Sequence, residues 1–286
     1  MQTLIKQFLK EYNPSNESNF HTSLSLILRE HLNFLAQPRD MDWHPKSLER
    51  IRNYIIDNCE HDFVRVDEKQ NIIMSYGNDS IKDKILLGCH YDGPGNSPGA
   101  DDNASSIAVL IELSKMQLSD NVIIVFFNGE EYNMIGSRFF VKNEEKVSEA
   151  IILEMVGYYS NLSGSQELPD VFPKFDKGDF LTVIGNNSKI GKKLISQSNE
   201  INSLLPLKSF NIPFGLEKQE IFDLDWMSHI KRSDHSAFWS ADIPAVMLTD
   251  TAEFRNKNYH QLTDTPETLN YKMMSELVHL LYTYTK

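Results

Sequence analysis

Apolar positions fall in two kinds of pattern along the chain. Residues 20–36 and 46–58 carry them at helical spacing, and in the second stretch Leu48, Ile51, Tyr54 and Ile55 share one face. A loop over residues 38–45 separates the two, and residues 62–66 and 70–76 read as a hairpin. Short unbroken apolar runs follow. Residues 85–87 end in Gly88-Cys89-His90, residues 122–127 in Asn128-Gly129-Glu130-Glu131, and residues 151–153 in Glu154. Residues 243–248 lead into a polar loop that reaches His260. Helical patterns over 103–116 and 187–199 flank these runs, and a closing helix over 267–284 carries Leu269, Met273, Leu277 and Leu280 on one side. Apolar runs of this length are those of strands buried on both faces. The expected fold is therefore α/β: three α/β/α layers around a mixed, mostly parallel central sheet.

In open α/β sheets ligands bind in the crevice beyond the carboxyl ends of the strands. Here each of the four runs is followed, at that end, by His or Glu. One such coincidence carries no weight, but four point to a shared site.

Composition narrows the classes. At 286 residues, 41% apolar and 24% charged, the chain is an ordinary globular protein. The net charge of −12, from 28 Lys+Arg against 40 Asp+Glu, disfavours nucleic acid or an anionic membrane as partner. No stretch approaches the roughly 20 apolar residues of a membrane span. Residues 1–12 (MQTLIKQFLKEY) alternate apolar and charged residues as a surface helix does and lack a signal-peptide core, so a cytoplasmic location is expected. Residues 1–40 are expected to form a helical segment packing on a main domain over 41–286. Cys59 and Cys89 are too few for a disulfide framework, and Cys89 reads as a buried small hydrophobe.

The chemistry lies at the run ends. In His90-Tyr91-Asp92 an extended chain puts His90 and Asp92 on one side, so the carboxylate can accept from the second ring nitrogen of a ligating imidazole. A surface His beside a loop Asp is the plainer explanation. Gly99-Ala100-Asp101-Asp102-Asn103-Ala104-Ser105-Ser106 is more specific. Helix capping explains one acid there, but not the small residues that let backbone crowd a ligand. Glu130-Glu131 could be solvated loop acids, or one metal ligand beside one group that meets the attacking water. Glu154 stands in an otherwise apolar run, where a carboxylate needs a partner, either an arginine or a shared cation. His260 gains meaning only from the others.

The residues GCHYD, PGADDNAS, FNGEE, LEMVGYYS, SDHSAFW and YHQLTDTPETL, in this order, resemble peptidase family M28, the zinc aminopeptidases. The resemblance covers residues from about 45 to the C-terminus. It implies two zinc ions, one held by His90 and Glu154, another by Glu131 and His260, with Asp102 bridging. It implies Glu130 as general base, Asp92 behind His90, and a cis Asp102–Asn103 peptide bond. Asp234 and His235 match a motif that lies beside the site. Many members have Asp where this chain has Glu154, a longer ligand. Three ligand carboxylates and Glu130 sum to −4, which two Zn²⁺ balance. The implied substrate is a peptide with a free N-terminus.

Three rivals share the scaffold. A glutaminyl cyclase has a similar His-Tyr-Asp motif and one zinc. Peptidase family M20 shares the ligand order but usually inserts a dimerisation domain, of which residues 154–260 show no sign. A non-catalytic binding module is the third, against which the complete ligand set and Glu130 argue. Residues 204–226, rich in Phe, Leu and Ile, are candidates for a side-chain pocket or for packing. Arg255 is a candidate for a substrate carboxylate, with an ordinary salt bridge as the safer assignment.

Overall fold

The structure, a computed structural model, describes residues 17–77, 83–143, 147–170, 172–185, 188–211 and 227–286. The helix expected over residues 1–12 and part of the 204–226 stretch lie outside them.

Eight strands form one sheet: β1 (Phe63–Val66), β2 (Ile72–Ser75), β3 (Lys84–His90), β4 (Val122–Phe127), β5 (Val147–Glu154), β6 (Leu181–Gly185), β7 (Leu207–Asn211) and β8 (Ala245–Thr249). Their order is β1-β2-β4-β3-β5-β8-β6-β7. The central four, β4-β3-β5-β8, run parallel, while β2 pairs antiparallel with β4 and β6 antiparallel with β8. The sheet is mixed and mostly parallel, as the run pattern indicates.

Strand periodicity explains the two cores. Leu87, Cys89, Ile124, Phe126, Ile151, Leu153, Val246 and Leu248 enter one apolar cluster, and the alternate residues Leu86, Ile123, Val125, Phe127, Ala150, Ile152, Ala245 and Met247 enter the other. The first face is covered by α1 (Glu17–Leu35), α2 (Pro45–Asn58), α3 (Ser106–Ser114), α5 (Ser188–Glu200) and α8 (Tyr271–Tyr284). The second is covered by α4 (Ile135–Asn143), α6 (Met227–Ile230) and α7 (His235–Ser240). In α1 the buried residues Phe20, Leu24, Leu28 and Leu32 recur every fourth position, one stripe of a helix laid on α3 and α8. No described helix is long and apolar enough to cross a membrane.

Register sets the site. Gly88 of β3 pairs with Ile152 of β5, and His90 pairs with Phe127 of β4. Glu154, two residues past Ile152, pairs with Thr249 of β8. His90, Phe127, Glu154 and Thr249 thus end their strands on one line across the sheet, and every chain segment that follows leaves into the same crevice.

Candidate metal centre

Four segments deliver side chains to that crevice. The first is the end of β3. His90 is buried, and its Nδ1 faces the backbone oxygen of Asp92 at 3.2 Å and its Oδ1 at 3.5 Å. Both are acceptors, so Nδ1 carries the proton and Nε2 points the other way, to Asp102 Oδ1 and Glu154 Oε2, each at 3.4 Å. Asp92 also accepts the backbone N–H groups of Glu130 and Glu131, each at 3.2 Å, and so joins the ends of β3 and β4. After Phe127 the chain leaves the extended conformation and turns, with Met134 N–H donating to Glu130 O at 2.9 Å. Glu130 and Glu131 therefore leave β4 at the start of a turn.

The second segment is one wide helical turn over Ala100–Ser105, all of it buried. Asp102 and Asn103 depart from helical angles, and the peptide bond between them is cis. The Asn103 side chain runs alongside the end of β5: Nδ2 donates to Leu153 O and Oδ1 accepts from Met155 N–H, both at 3.0 Å. Ser105 Oγ accepts Val156 N–H (3.1 Å), and Asp101 Oδ1 accepts Gly157 N–H (2.9 Å). The two Asn103 bonds bracket Glu154 and fix it opposite Asp102. Gly99 is required before this turn, since it has φ +59° and a Cβ there would lie 2.2 Å from Asp102 O.

The third is the loop that carries His260. Asp264 accepts the N–H groups of Asp101 (2.9 Å) and Asp102 (3.2 Å), and Ser97 Oγ donates to Gln261 O (2.9 Å). His260 Nε2 then lies 3.0 Å from Asp102 Oδ2 and 3.8 Å from Glu131 Oε2. The fourth, β5 itself, supplies Glu154, whose Oε2 accepts from Ser233 Oγ at 2.6 Å.

Three groups of donor atoms lie within 4.8 Å of one another: His90, Asp102 and Glu154, and Asp102, Glu131 and His260, which share one carboxylate, and a third of His90, Glu130 and Glu131 that joins the base candidate to both. His90 Nε2, Asp102 Oδ1 and Glu131 Oε1 are buried and make no hydrogen bond among the described residues. Unpartnered buried acceptors and a buried imidazole are costly unless a cation lies between them. These residues fit divalent metal.

The electrostatics without metal agree. Burial opposes a charged His90, but Glu154, then Asp102 and Asp92, outweigh it and hold its pKa well above the ordinary value. Burial, followed by the field of Asp102, raises Glu131 well above a normal carboxyl. Glu130 is likewise raised, by burial first, against the pull of His90 and with the help of Glu154 and Glu131. Asp102 moves the other way: burial works against it, but the neighbouring His260 and His90 imidazoles keep it ionised. Without cations, the crowded carboxylates thus favour proton uptake at the site.

The remaining candidates separate. Asp234 is buried at the start of α7 and is pushed up to about 7 by burial, against His90. It acts on the centre through its field. His235 is taken up by packing: Nε2–H donates to Ile230 O at 2.6 Å, and its ring lies edge-on to Trp239 at 4.5 Å. Burial lowers it to about 4, and it does not line the crevice. Arg255 departs from both expectations, the substrate carboxylate and the ordinary salt bridge, since its described partners are an amide and backbone carbonyls. It is 2% exposed, donates Nε to Gln166 Oε1 (2.8 Å) and Nη1 to Phe180 O (2.7 Å), and cannot reach a substrate carboxylate.

Beside the metal residues opens a cavity of about 350 Å³, lined at one end by Asp102, Glu130, Glu131, Glu154 and His260. Its farther wall includes Met134, Phe172, Ile184, Phe210, Met247 and Phe254. Phe210 is the described part of the 204–226 stretch that reaches it. Asn133, Met134, Thr251, Ala252 and His260 line the cavity with φ between +47° and +84°, a concentration of strained backbone characteristic of functional sites. Sequence reasoning missed Asn103, Asp264 and Arg39, whose guanidinium lies behind Asp102. Asn103 and Asp264 stand inside the quoted motifs, but Arg39 lies in a loop with no local signal.

The chain is 34% identical over 233 residues to the uncharacterized protein YfbL of Escherichia coli (strain K12), covering 73% of this chain and 68% of that protein. It is 26% identical over 226 residues to leucine aminopeptidase 2 of Trichophyton rubrum, of which it spans 41% (70% of this chain). Among solved structures, the Legionella pneumophila LapA aminopeptidase superposes with a TM-score of 0.70 at 15% identity, over 96% of this chain and 75% of that one. A Bacteroides thetaiotaomicron glutaminyl cyclase superposes at 0.63 and 15% identity, over 93% and 97%. Those two likenesses are of fold alone, and the fold is common to hydrolase and cyclase. The model of one family extends over residues 71–285, from β2 to the last helix, and takes in every side chain of the crevice described above. The chain therefore belongs to peptidase family M28.

Proposed function

We propose that this protein is a two-zinc aminopeptidase that removes apolar N-terminal residues from peptides. The observation that carries the reading is the sharing of Asp102 between two complete ligand groups, which favours a two-metal centre over a single-metal one. In this assignment His90 and Glu154 would hold one ion and Glu131 and His260 the other, with Asp102 contributing to both groups. Carboxylate oxygens and imidazole nitrogens are the donor set that Zn²⁺ takes in catalytic sites. Bound there, the ions supply Lewis-acid polarisation of the scissile carbonyl and acidify the attacking water.

The chain's own groups do the rest. Glu130 borders the cavity beside the ligands and accepts the proton of the attacking water, then delivers it to the departing amine. Burial raises its carboxyl above the ordinary value, the direction that favours taking up a proton. Asp92 holds His90 in the tautomer that leaves Nε2 free, and its bonds to the Glu130 and Glu131 amides keep base and ligand in register. The apolar wall receives the side chain of the residue to be cleaved. Arg232 in that wall is paired with Glu253 at 2.7 Å, so it does not call for an acidic side chain.

The test combines metal analysis with a substrate screen. Purified protein should carry two zinc ions per chain and hydrolyse leucine or phenylalanine anilides, and N-acetylation of the same substrates should abolish turnover. The cyclase reading predicts one zinc and ring closure of N-terminal glutamine, which the same screen detects. Binding of metal with neither activity would leave a non-catalytic module.

A further inference from the structure

The segment that precedes the family match reaches into the metal centre. Residues 36–44 join α1 to α2, and in their midst Arg39 is fully buried. Its guanidinium donates to six backbone carbonyls. Nε reaches Tyr91 O (3.0 Å). Nη1 reaches Pro98 O (2.8 Å), Gln37 O (3.3 Å) and Leu35 O (3.4 Å). Nη2 reaches Gly99 O (2.9 Å) and Asp102 O (3.0 Å). Tyr91 stands between His90 and Asp92, and Asp102 is the carboxylate shared by both ligand groups. A single planar fork therefore ties the end of β3 to the turn that carries Asp102.

The neighbouring residue extends the clasp to a third stretch. Asp40 Oδ1 accepts the Tyr132 hydroxyl (2.9 Å) and the N–H groups of Asp42 and Trp43, and Oδ2 accepts Gly95 N–H (3.1 Å). Tyr132 directly follows Glu131. A buried guanidinium bonded to carbonyls needs compensating charge. The carboxylates whose field acts on it are Asp102, then Asp264, Asp92 and Glu131. Packing alone would be served by an apolar residue. What an apolar residue, or the point charge of a lysine, cannot do is hold carbonyls from several segments in one plane.

We infer that Arg39 is a positioning residue of the metal centre, whose guanidinium holds the Tyr91 and Asp102 carbonyls so that His90 and Asp102 keep the spacing a shared cation needs. The inference rests on the divalent-metal reading of the site.

The test measures Zn²⁺ affinity by competition with a chromophoric chelator, and thermal unfolding of the metal-free chain, for wild type, Arg39→Lys, Arg39→Met and Glu112→Gln. Glu112 is equally buried, 2.8 Å from His31, and serves as a destabilising comparison away from the ligands. Both Arg39 variants should bind zinc about 10–100-fold more weakly, the usual effect of losing a group that orients ligands. Arg39→Lys, which keeps the charge, should restore only part of the loss, and Glu112→Gln should lower the melting temperature with affinity unchanged. Affinity in Arg39→Lys within about threefold of wild type, or failure of both Arg39 variants to fold, overturns the inference and leaves Arg39 a structural residue. Should wild type itself take up no zinc in this titration, the metal reading fails and not merely the role of Arg39.

Discussion

Asn103→Ala isolates the device that sets Glu154. The Asn103 amide is fully buried and satisfies two backbone groups of β5 and its exit, Leu153 O and Met155 N–H, at 3.0 Å each. Alanine leaves both without a partner in a place that water does not reach. An orphaned buried polar group costs about 1–3 kcal/mol, so the pair costs about 2–6 kcal/mol. At roughly 2–4 °C per kcal/mol in a chain of this size, the metal-free protein should melt about 5–20 °C lower. The second consequence separates function from stability, because the two groups bracket Glu154. Freed of the clamp, Glu154 should lose its fixed place opposite Asp102, and zinc affinity should fall about 10–100-fold. Ser105→Ala supplies the contrast: it loses the bond to Val156 N–H, two residues beyond Glu154, and should lower stability while leaving zinc binding close to wild type. Calorimetric melts with and without excess zinc, beside a chelator competition, give both quantities. Equal zinc affinities for the two variants would refute the clamp, and an unchanged melting temperature for Asn103→Ala would refute the hydrogen-bond argument beneath it.

Other outcomes follow from the same geometry. Glu130→Gln should keep both zinc ions and lose about 10²–10⁴ in kcat, measured by metal analysis and anilide turnover; loss of zinc would mean Glu130 and Glu131 have exchanged roles. Without metal, His90, Glu131 and Glu130 all bind protons more tightly folded than unfolded, so stability should fall as pH rises above the ordinary histidine value of 6.5. His235, lowered to about 4, has the opposite slope, but only below its ordinary value of 6.5. Melts of chelator-treated protein above pH 6.5 check the sign, and added zinc should remove the decline. Arg255→Lys should cost about 1.5–3 kcal/mol for each hydrogen bond lost to the guanidinium, yet change KM for dipeptides and anilides alike. A selective rise for dipeptides would restore a substrate role.

What the chain discloses in advance is what short-range physics encodes. Val122–Phe127 and the Ala150–Leu153 part of β5 are apolar on both faces because both faces are covered, and such runs announce a buried parallel sheet. Glu154 is conspicuous for the same reason, a carboxylate where burial forbids one. Strand order is not encoded this way: nothing local places β8 beside β5 or turns β6 antiparallel to it. The Glu130-Glu131 turn is hidden too, because two adjacent acids look alike until Asp92, distant in sequence, accepts their amides. Arg255 misled because a loop arginine near a candidate ligand looks available, and only the Gln166 and Phe180 partners show it committed. Arg39 was invisible for the complementary reason. Its importance lies in carbonyls, which every residue has, brought together from positions 35 to 102.

The acids of this crevice could not assemble by attraction among themselves, since they repel. Backbone dipoles and neutral amides bring them together. Asp92 is fixed by the Glu130 and Glu131 amides, Asp264 receives the Asp101 and Asp102 amides, and Asn103 brackets Glu154. Each of these bonds spans two segments of chain and ends within two residues of a ligand. The scaffold thus holds the ligand atoms in place, and the raised affinity of His90, Glu130 and Glu131 for protons reflects the negative charge that cations would neutralise. Metal affinity in such a site is the difference between replacing protons by metal and relaxing a geometry already built. Loosening the backbone bonds should lower affinity even where every ligand is retained, whereas removing a ligand should lower it while the scaffold stays intact. Asn103→Ala and Arg39→Lys probe the first case, a variant such as Glu131→Gln the second, and the metal-free melting temperature tells the two apart.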